Sequence, residues 1–183
     1  MKSWDVIDRN LLVDASPYLK LHREAVRLEN GTIVDDYYTI DQPDFVVVFA
    51  LVRPDTILAI RHYKHGAKKI NLGLPAGYVE NEESPVDAAR RELLEETGYR
   101  AESVRLLGSY VVDGNRGCGH AHVAFATGLT RQQDADPDDL ETIVLEEIPL
   151  SDLPALLAGG EVATLGAAIG IALGLLEVKN IGT

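Results

Sequence analysis

Sulfur and aromatic rings are scarce in this chain. One Cys, one Met, one Trp and three Phe stand among 183 residues. With Cys118 alone, no intrachain disulfide can form, and zinc ribbons and fingers are excluded. A single thiol suits a reducing compartment, so the cytoplasm is the expected location. Positive charge is also short: 17 Lys plus Arg face 29 Asp plus Glu, for a formal net charge of −12. Phosphate-rich polymers would meet a negative surface, which argues against broad nucleic-acid binding. The opening residues Met1-Lys2-Ser3-Trp4-Asp5 lack the apolar core of a secretory signal. The uncharged stretch Val162 to Leu176 would rise only about 22 Å as a helix, against a hydrocarbon layer of ~30 Å. No membrane partner is therefore expected. Gly166, Gly170 and Gly174 recur at every fourth position there, and read as the close-packing face of a buried helix or of an oligomer contact.

What remains is an ordinary supply of core residues. A hydrophobic fraction of 46% can fill one domain with a short extension. The first 40 residues read as extended chain. Asn30-Gly31 offers a hairpin turn between Tyr18–Leu28 and Thr32–Ile40. Phe45 to Val52 is a continuous β-branched and aromatic run, suited to a strand buried on both faces. Arg53-Pro54-Asp55 turns the chain into a partner strand, Thr56–Arg61. A basic loop (Lys64 to Lys69) and a glycine-rich turn (Leu72 to Gly77) follow. Ser84 then caps a helix over Pro85–Thr97, and Gly98 ends it. Later strands are expected at Val104–Tyr110, Ala121–Ala126 and Thr142–Glu147, with a short helix near Leu153–Leu157 and the apolar helix last. Strands and a few helices without regular βαβ alternation indicate a mixed α+β layer architecture.

The chemistry concentrates on the capped helix. Glu92, Glu95 and Glu96 fall at i, i+3 and i+4, so three carboxylates share one face. Their mutual repulsion is relieved if a divalent cation lies among them, and oxygen ligands favour Mg²⁺ or Mn²⁺. A solvated acidic helix face is the competing explanation for the helix taken alone. The wider spacing decides between them: Gly77, five residues, Glu83, seven residues, Arg91-Glu92-Leu93, one residue, Glu95-Glu96, one residue, Gly98-Tyr99. This reproduces the pattern G-x5-E-x7-R-E-U-x-E-E-x-G-U, U being apolar, with aromatic Tyr99 at the last position. Seven such identities arise by chance with a probability on the order of 10⁻⁸ per start position.

The chain thereby resembles the Nudix hydrolases, which cleave a nucleoside diphosphate linked to another moiety using divalent metal. Arg61-His62-Tyr63-Lys64 and Leu74-Pro75-Ala76-Gly77 resemble the R-Q-Y-R-like and L-P-A-G motifs of the ADP-ribose and ADP-sugar pyrophosphatase branch. The resemblance implies an α/β/α sandwich with a mixed sheet over residues 43–183. It also implies a small antiparallel β extension over 1–42, of the kind that exchanges between subunits of a homodimer. It implies metal binding by Glu92 and Glu96, by Glu95 as a further ligand or base, and by the Ala76 carbonyl oxygen. Arg91 would orient Glu92 or pair with Glu83. Arg61 and Lys64 are candidates for holding the diphosphate, which needs cations. Glu141 is the best-matched general base from a late acidic loop, with Asp138 and Asp139 competing.

Two departures bear on the substrate. Gly73 stands where an acidic residue commonly precedes L-P-A-G. Residues 112–122 replace an S-P-G-containing loop, and there Arg116, His120 and His122 are candidates for phosphate or sugar contact. The competing reading of His120 and His122 is a plain strand, with one expected inward and one outward. The expected activity is Mg²⁺-dependent hydrolysis of a nucleoside diphosphate sugar, ADP-ribose or an ADP-sugar first and a GDP-sugar next, to nucleoside monophosphate and sugar phosphate. The alternatives are a nucleoside triphosphate or coenzyme A substrate, or a nucleotide-sensing module without catalysis.

Overall fold

A computed structural model of the chain describes residues 2–135 and 142–181. Two compact units emerge. One holds the chain up to Asp44 together with Tyr110–His120, and the other holds Phe45–Ser109 and the chain from Ala121 on.

The first unit is built on β1 (Asp5–Ala15), β2 (Leu19–Arg27) and β3 (Ile33–Asp41), in which β2 pairs antiparallel with both neighbours. The expected turn forms at Asn30-Gly31, where the Asn30 side chain accepts from the Thr32 amide at 3.0 Å. Strand β1 falls in the stretch that the sequence marks only as extended chain, and it is exposed along its whole length. Inside the unit Glu24 is buried, and Arg9 and Thr39 both donate to it.

The second unit is centred on β4 (Phe45–Arg53), which runs antiparallel to β5 (Thr56–Lys64) and β7 (Ala76–Tyr78), and parallel to β9 (Gly117–Arg131). β5 pairs in turn with β6 (Lys69–Gly73) and β10 (Val144–Pro149), and β8 (Tyr99–Asp113) pairs with β9. The sheet is mixed. Its β4 residues alternate between two cores, which explains the continuous apolar run. Val46, Val48 and Ala50 pack with Ala88, Ala89 and Leu93 of helix α1 (Pro85–Thr97). Val47 and Phe49 pack with Leu153 of α2 (Leu153–Ala158) and Ile171 of α3 (Leu165–Ile181). Each fully buried Leu, Ile or Phe in these layers stabilises the fold by about 1.5–3 kcal/mol. The α/β/α sandwich is therefore present.

Several boundaries differ from the sequence reading. The basic loop contracts to a tight turn, because β5 runs on to Lys64 and β6 starts at Lys69. The glycine-rich segment after Asp113 is the tip of one long hairpin, β8–β9. Helix α3 starts later and ends later than Val162–Leu176: Glu177 does not stop it, because glutamate is itself a good helix former, and its carboxylate pairs with Arg105. The glycines of α3 face their own sheet. A Cβ on Gly166 would lie 3.1 Å from the Phe45 ring, one on Gly170 2.8 Å from Leu74, and one on Gly174 2.2 Å from the Phe49 ring. The close-packing face is thus used within the chain and does not support a contact between subunits. No helix among the described residues is long and apolar enough to cross a membrane.

Candidate active site

Helix α1 is positioned by its ends. The Ser84 hydroxyl accepts from the Asp87 amide at 3.1 Å, Pro85 occupies the first turn, and Gly98 closes the helix at φ 75°. Gly98 takes the left-handed conformation that a side chain would strain, and its N–H bonds the Leu94 carbonyl at 2.8 Å. Ala88, Ala89 and Leu93 bind one side of the helix to the sheet. The carboxylates then fall along its cavity side. Glu96 is buried at 4% exposure and accepts from the Ala76 amide at 2.8 Å. The Glu92 side chain is 12% exposed and that of Glu95 45%.

Arg91 ties this group together. Its guanidinium donates to Glu83 at 3.0 Å twice, to Glu92 at 2.7 Å, to Glu95 at 3.1 Å and to the Tyr78 carbonyl at 2.8 Å. The Glu83 bonds push the arginine further above its ordinary range. The same bonds hold the Glu83 carboxyl below its ordinary value of 4.5 against the opposing effect of burial. On sequence grounds Glu92 and Glu83 are alternative partners of Arg91, and one side chain contacts both.

A cavity of about 600 Å³ opens beside these groups, within the size range of nucleotide-sized ligands. Ala76, Gly77, Arg91, Glu92, Glu95 and Glu96 line one side. Lys64, His62 and Asn71 come from the β5–β6 hairpin, Phe45 and Val47 from β4, Tyr78 from β7, and Thr164, Gly166 and Ala167 from the start of α3. Gly77 matters sterically. A Cβ there would fall 2.0 Å from Glu92 Oε1, so only the bare backbone leaves the carboxylate its place.

When ionised, Glu92, Glu95 and Glu96 of the cavity wall, with Glu83 beside them, outnumber the single guanidinium of Arg91. The donors are all hard oxygens, and the Gly77 backbone makes room for one of them, so the residues suit a divalent cation in chemistry. Among the described residues, no three His, Cys, Asp or Glu side chains already converge in metal-ligating geometry. Arg91 lies between Glu92 and Glu95, and Glu96 turns to the Ala76 amide.

The remaining candidates are placed differently. Lys64 lines the cavity, whereas Arg61 is not among its lining residues. The Arg61 guanidinium binds Glu146 at 2.6 and 3.2 Å and Glu161 at 2.9 Å, and the Glu146 bonds above all raise its pKa further. Arg116 belongs to the first unit, where it pairs with Asp113 at 3.2 Å. His120 is exposed there and sits 3.3 Å from Asp44, while His122 in the second unit is buried against Ser109 at 2.8 Å. One is exposed and the other buried, but not by strand alternation, which would put residues two apart on the same face; the backbone just before His120 is irregular, with positive φ at Cys118 and Gly119. Glu141, Asp138 and Asp139 lie outside the described residues. The sequence reading had not singled out Phe45, Asn71, Tyr78 or Thr164 as cavity residues. For His62 a signal existed, since residues two apart on a strand share a face and Lys64 was already a candidate.

Comparison with known proteins accords with this geometry. The family model described as NUDIX domain matches residues 42–164. The chain is 30% identical over 135 residues to the methanol dehydrogenase activator of Bacillus methanolicus, covering 73% of this chain and 72% of that one. It is 27% identical over 145 residues to the ADP-ribose pyrophosphatase of Bacillus subtilis, covering 79% and 78%. A crystal structure of an ADP compounds hydrolase superposes with a TM-score of 0.88 at 20% identity, over 100% of this chain and 97% of that one, and so shares the fold. With its motif spacing, its carboxylate-bearing helix and its mixed-sheet sandwich, the chain belongs to the NUDIX domain family, the Nudix hydrolases.

Proposed function

We propose that the protein hydrolyses the diphosphate bond of a nucleoside diphosphate sugar, releasing a nucleoside monophosphate and a sugar phosphate. ADP-ribose or another ADP-sugar is the first candidate substrate and a GDP-sugar the second. The observation carrying this reading is the buried Glu96 on the Ala76 amide beside the part-buried Glu92 against the Gly77 backbone, both at the wall of a cavity of about 600 Å³. Mg²⁺ or Mn²⁺ bound by Glu92, Glu95, Glu96 and the Ala76 carbonyl would activate water and offset charge on the diphosphate. Arg91 keeps Glu92 and Glu95 oriented. Lys64, across the cavity, supplies a cation for the diphosphate. Glu141 is the proposed general base, with Glu95 its rival. Arg116 keeps its proposed role at the sugar or phosphate.

A homodimer and a cytoplasmic setting complete the reading. Support for the dimer is the exposed β1, with Val6, Ile7, Leu11, Leu12 and Val13 open to solvent along an unpaired strand edge. Light scattering at micromolar concentration checks it, and a clean monomer would contradict it.

The activity is tested with a panel of nucleotide sugars, with and without Mg²⁺, scoring products by phosphatase sensitivity. Metal-dependent release of sugar phosphate is expected, with Glu96→Gln reduced by about 10² or more. No turnover of any nucleotide sugar, or Glu96→Gln equal to wild type, refutes the proposal. Release of pyrophosphate from nucleoside triphosphates would move the substrate to that class.

A further inference from the structure

The open edge of β6 is covered by the segment between α2 and α3. Lys69 Nζ donates to the Gly160 carbonyl at 2.6 Å. The Leu72 amide donates to the Glu161 carbonyl at 2.9 Å. Asn71 Oδ1, from a side chain 1% exposed, accepts from the Ala163 amide at 2.6 Å. Arg61 closes the set from β5, with one nitrogen on Glu161 and two on Glu146 of β10. This segment leads directly into Thr164, Gly166 and Ala167, which line the cavity from the start of α3, whereas the carboxylates line it from α1.

The pairing follows from strand register. Arg61 stands opposite Val144, and Ala59 opposite Glu146, so Arg61 and Glu146 are diagonal neighbours on one face of the β5–β10 ladder. Both are about seven-tenths buried, and the guanidinium is oriented by two carboxylates at once. Such charge-assisted, bidentate pairing is directional as well as strong.

We propose that Arg61 is a positioning residue: by clamping Glu161 against Glu146, it holds residues 160–164 on β6 and so sets the cavity wall at Thr164 that receives the part of the substrate away from the metal carboxylates. The inference rests on the hydrolase reading for its effect on turnover, but not for the clamp itself. Arg61 thus acts through Glu161, and a direct grip on the diphosphate is left to Lys64. Loosening the wall raises KM. It leaves kcat alone, because α1 and β7 are untouched.

The experiment compares Arg61→Gln with Glu161→Gln, using the preferred nucleotide sugar and, separately, amide hydrogen exchange without substrate. Glu161 is half-exposed, so its variant keeps the fold even if Arg61→Gln weakens it. Both single variants and the double variant are expected to raise KM alike, by about five- to tenfold, with kcat within about twofold. Both are expected to speed exchange at Leu72 and Ala163. Arg53→Gln, which breaks an ion pair with Glu147 not attached to the segment, serves as the control that changes neither. An impaired Arg61→Gln beside a wild-type Glu161→Gln overturns the proposal, as does a fall in kcat at constant KM. So does unchanged exchange at both amides. If no nucleotide sugar is turned over, the hydrolase reading falls and exchange alone decides the clamp.

Discussion

Replacing Gly77 by alanine separates the chemistry of this site from its stability. A Cβ at that position would lie 2.0 Å from Glu92 Oε1, 2.1 Å from Cδ and 2.3 Å from Oε2. An ordinary carbon–oxygen approach is about 3.3 Å, so the carboxyl group must retreat by about 1.3 Å. Gly77 is not among the residues with positive φ, so alanine fits the β7 backbone unstrained. The obstructing atoms are the far end of a flexible side chain, which can leave its rotamer for about 0.5–1.5 kcal/mol. Stability should therefore fall by about 0.5–1.5 kcal/mol. Turnover should fall far more, because a displacement of about 1 Å at reacting groups costs on the order of 10² in rate. The move also draws Glu92 from Arg91, now 2.7 Å away. Steady-state kinetics over a Mg²⁺ titration, beside urea denaturation, is the assay. We expect kcat to fall about 100-fold, the half-saturating Mg²⁺ concentration to rise, and the urea midpoint to fall only slightly. Gly66→Ala, where a Cβ would meet nothing within 4 Å, is the matched control. Wild-type kcat in Gly77→Ala at saturating Mg²⁺ would refute the reasoning. An inactive but largely unfolded variant would assign Gly77 to packing instead.

Two further substitutions probe the frame around the site. Gly174→Ala improves helix propensity by about 1 kcal/mol yet drives a methyl to 2.2 Å from the buried Phe49 ring, which is stacked on Phe125 and cannot yield. A net loss of about 1–3 kcal/mol is expected in urea denaturation, and a stabilised variant would show that α3 is packed differently. Glu83→Gln tests the Arg91 network through pH. Arg91 holds the Glu83 carboxyl below 4.5, so its contribution is complete above that value and is lost as pH falls through the depressed one. The stability gap between wild type and Glu83→Gln should stay level from about pH 7 to 5 and shrink below about 4.5. A gap that widens on acidification would mean that Arg91 does not favour the charged form of Glu83.

Helix α1 was legible because its signals are local. The cap, the proline, the carboxylates and the terminating glycine all sit within 15 residues, and each acts on its own turn of helix. β4 was legible for a related reason, since a strand buried on both faces needs apolar residues at every position. The far wall of the cavity was not. Thr164 and Gly166 lie about 70 residues beyond α1 and meet the site only because the segment before α3 runs along β6, a pairing that no local pattern encodes. The short strands β6 and β7 were hidden by glycines that favour turns when neighbours are ignored. Arg61 is different, because the information to place it was present. Arg61 and Lys64 are joint candidates for the diphosphate on sequence grounds because both are cationic and both belong to one motif. They are three positions apart, and on a strand an odd separation points two side chains to opposite faces. Once β5 is known to run unbroken from Thr56 to Lys64, only one of the two can face the cavity, and Lys64 is the one that does so together with His62. A motif reports which residues travel together. The strand period decides which of them can touch the same ligand.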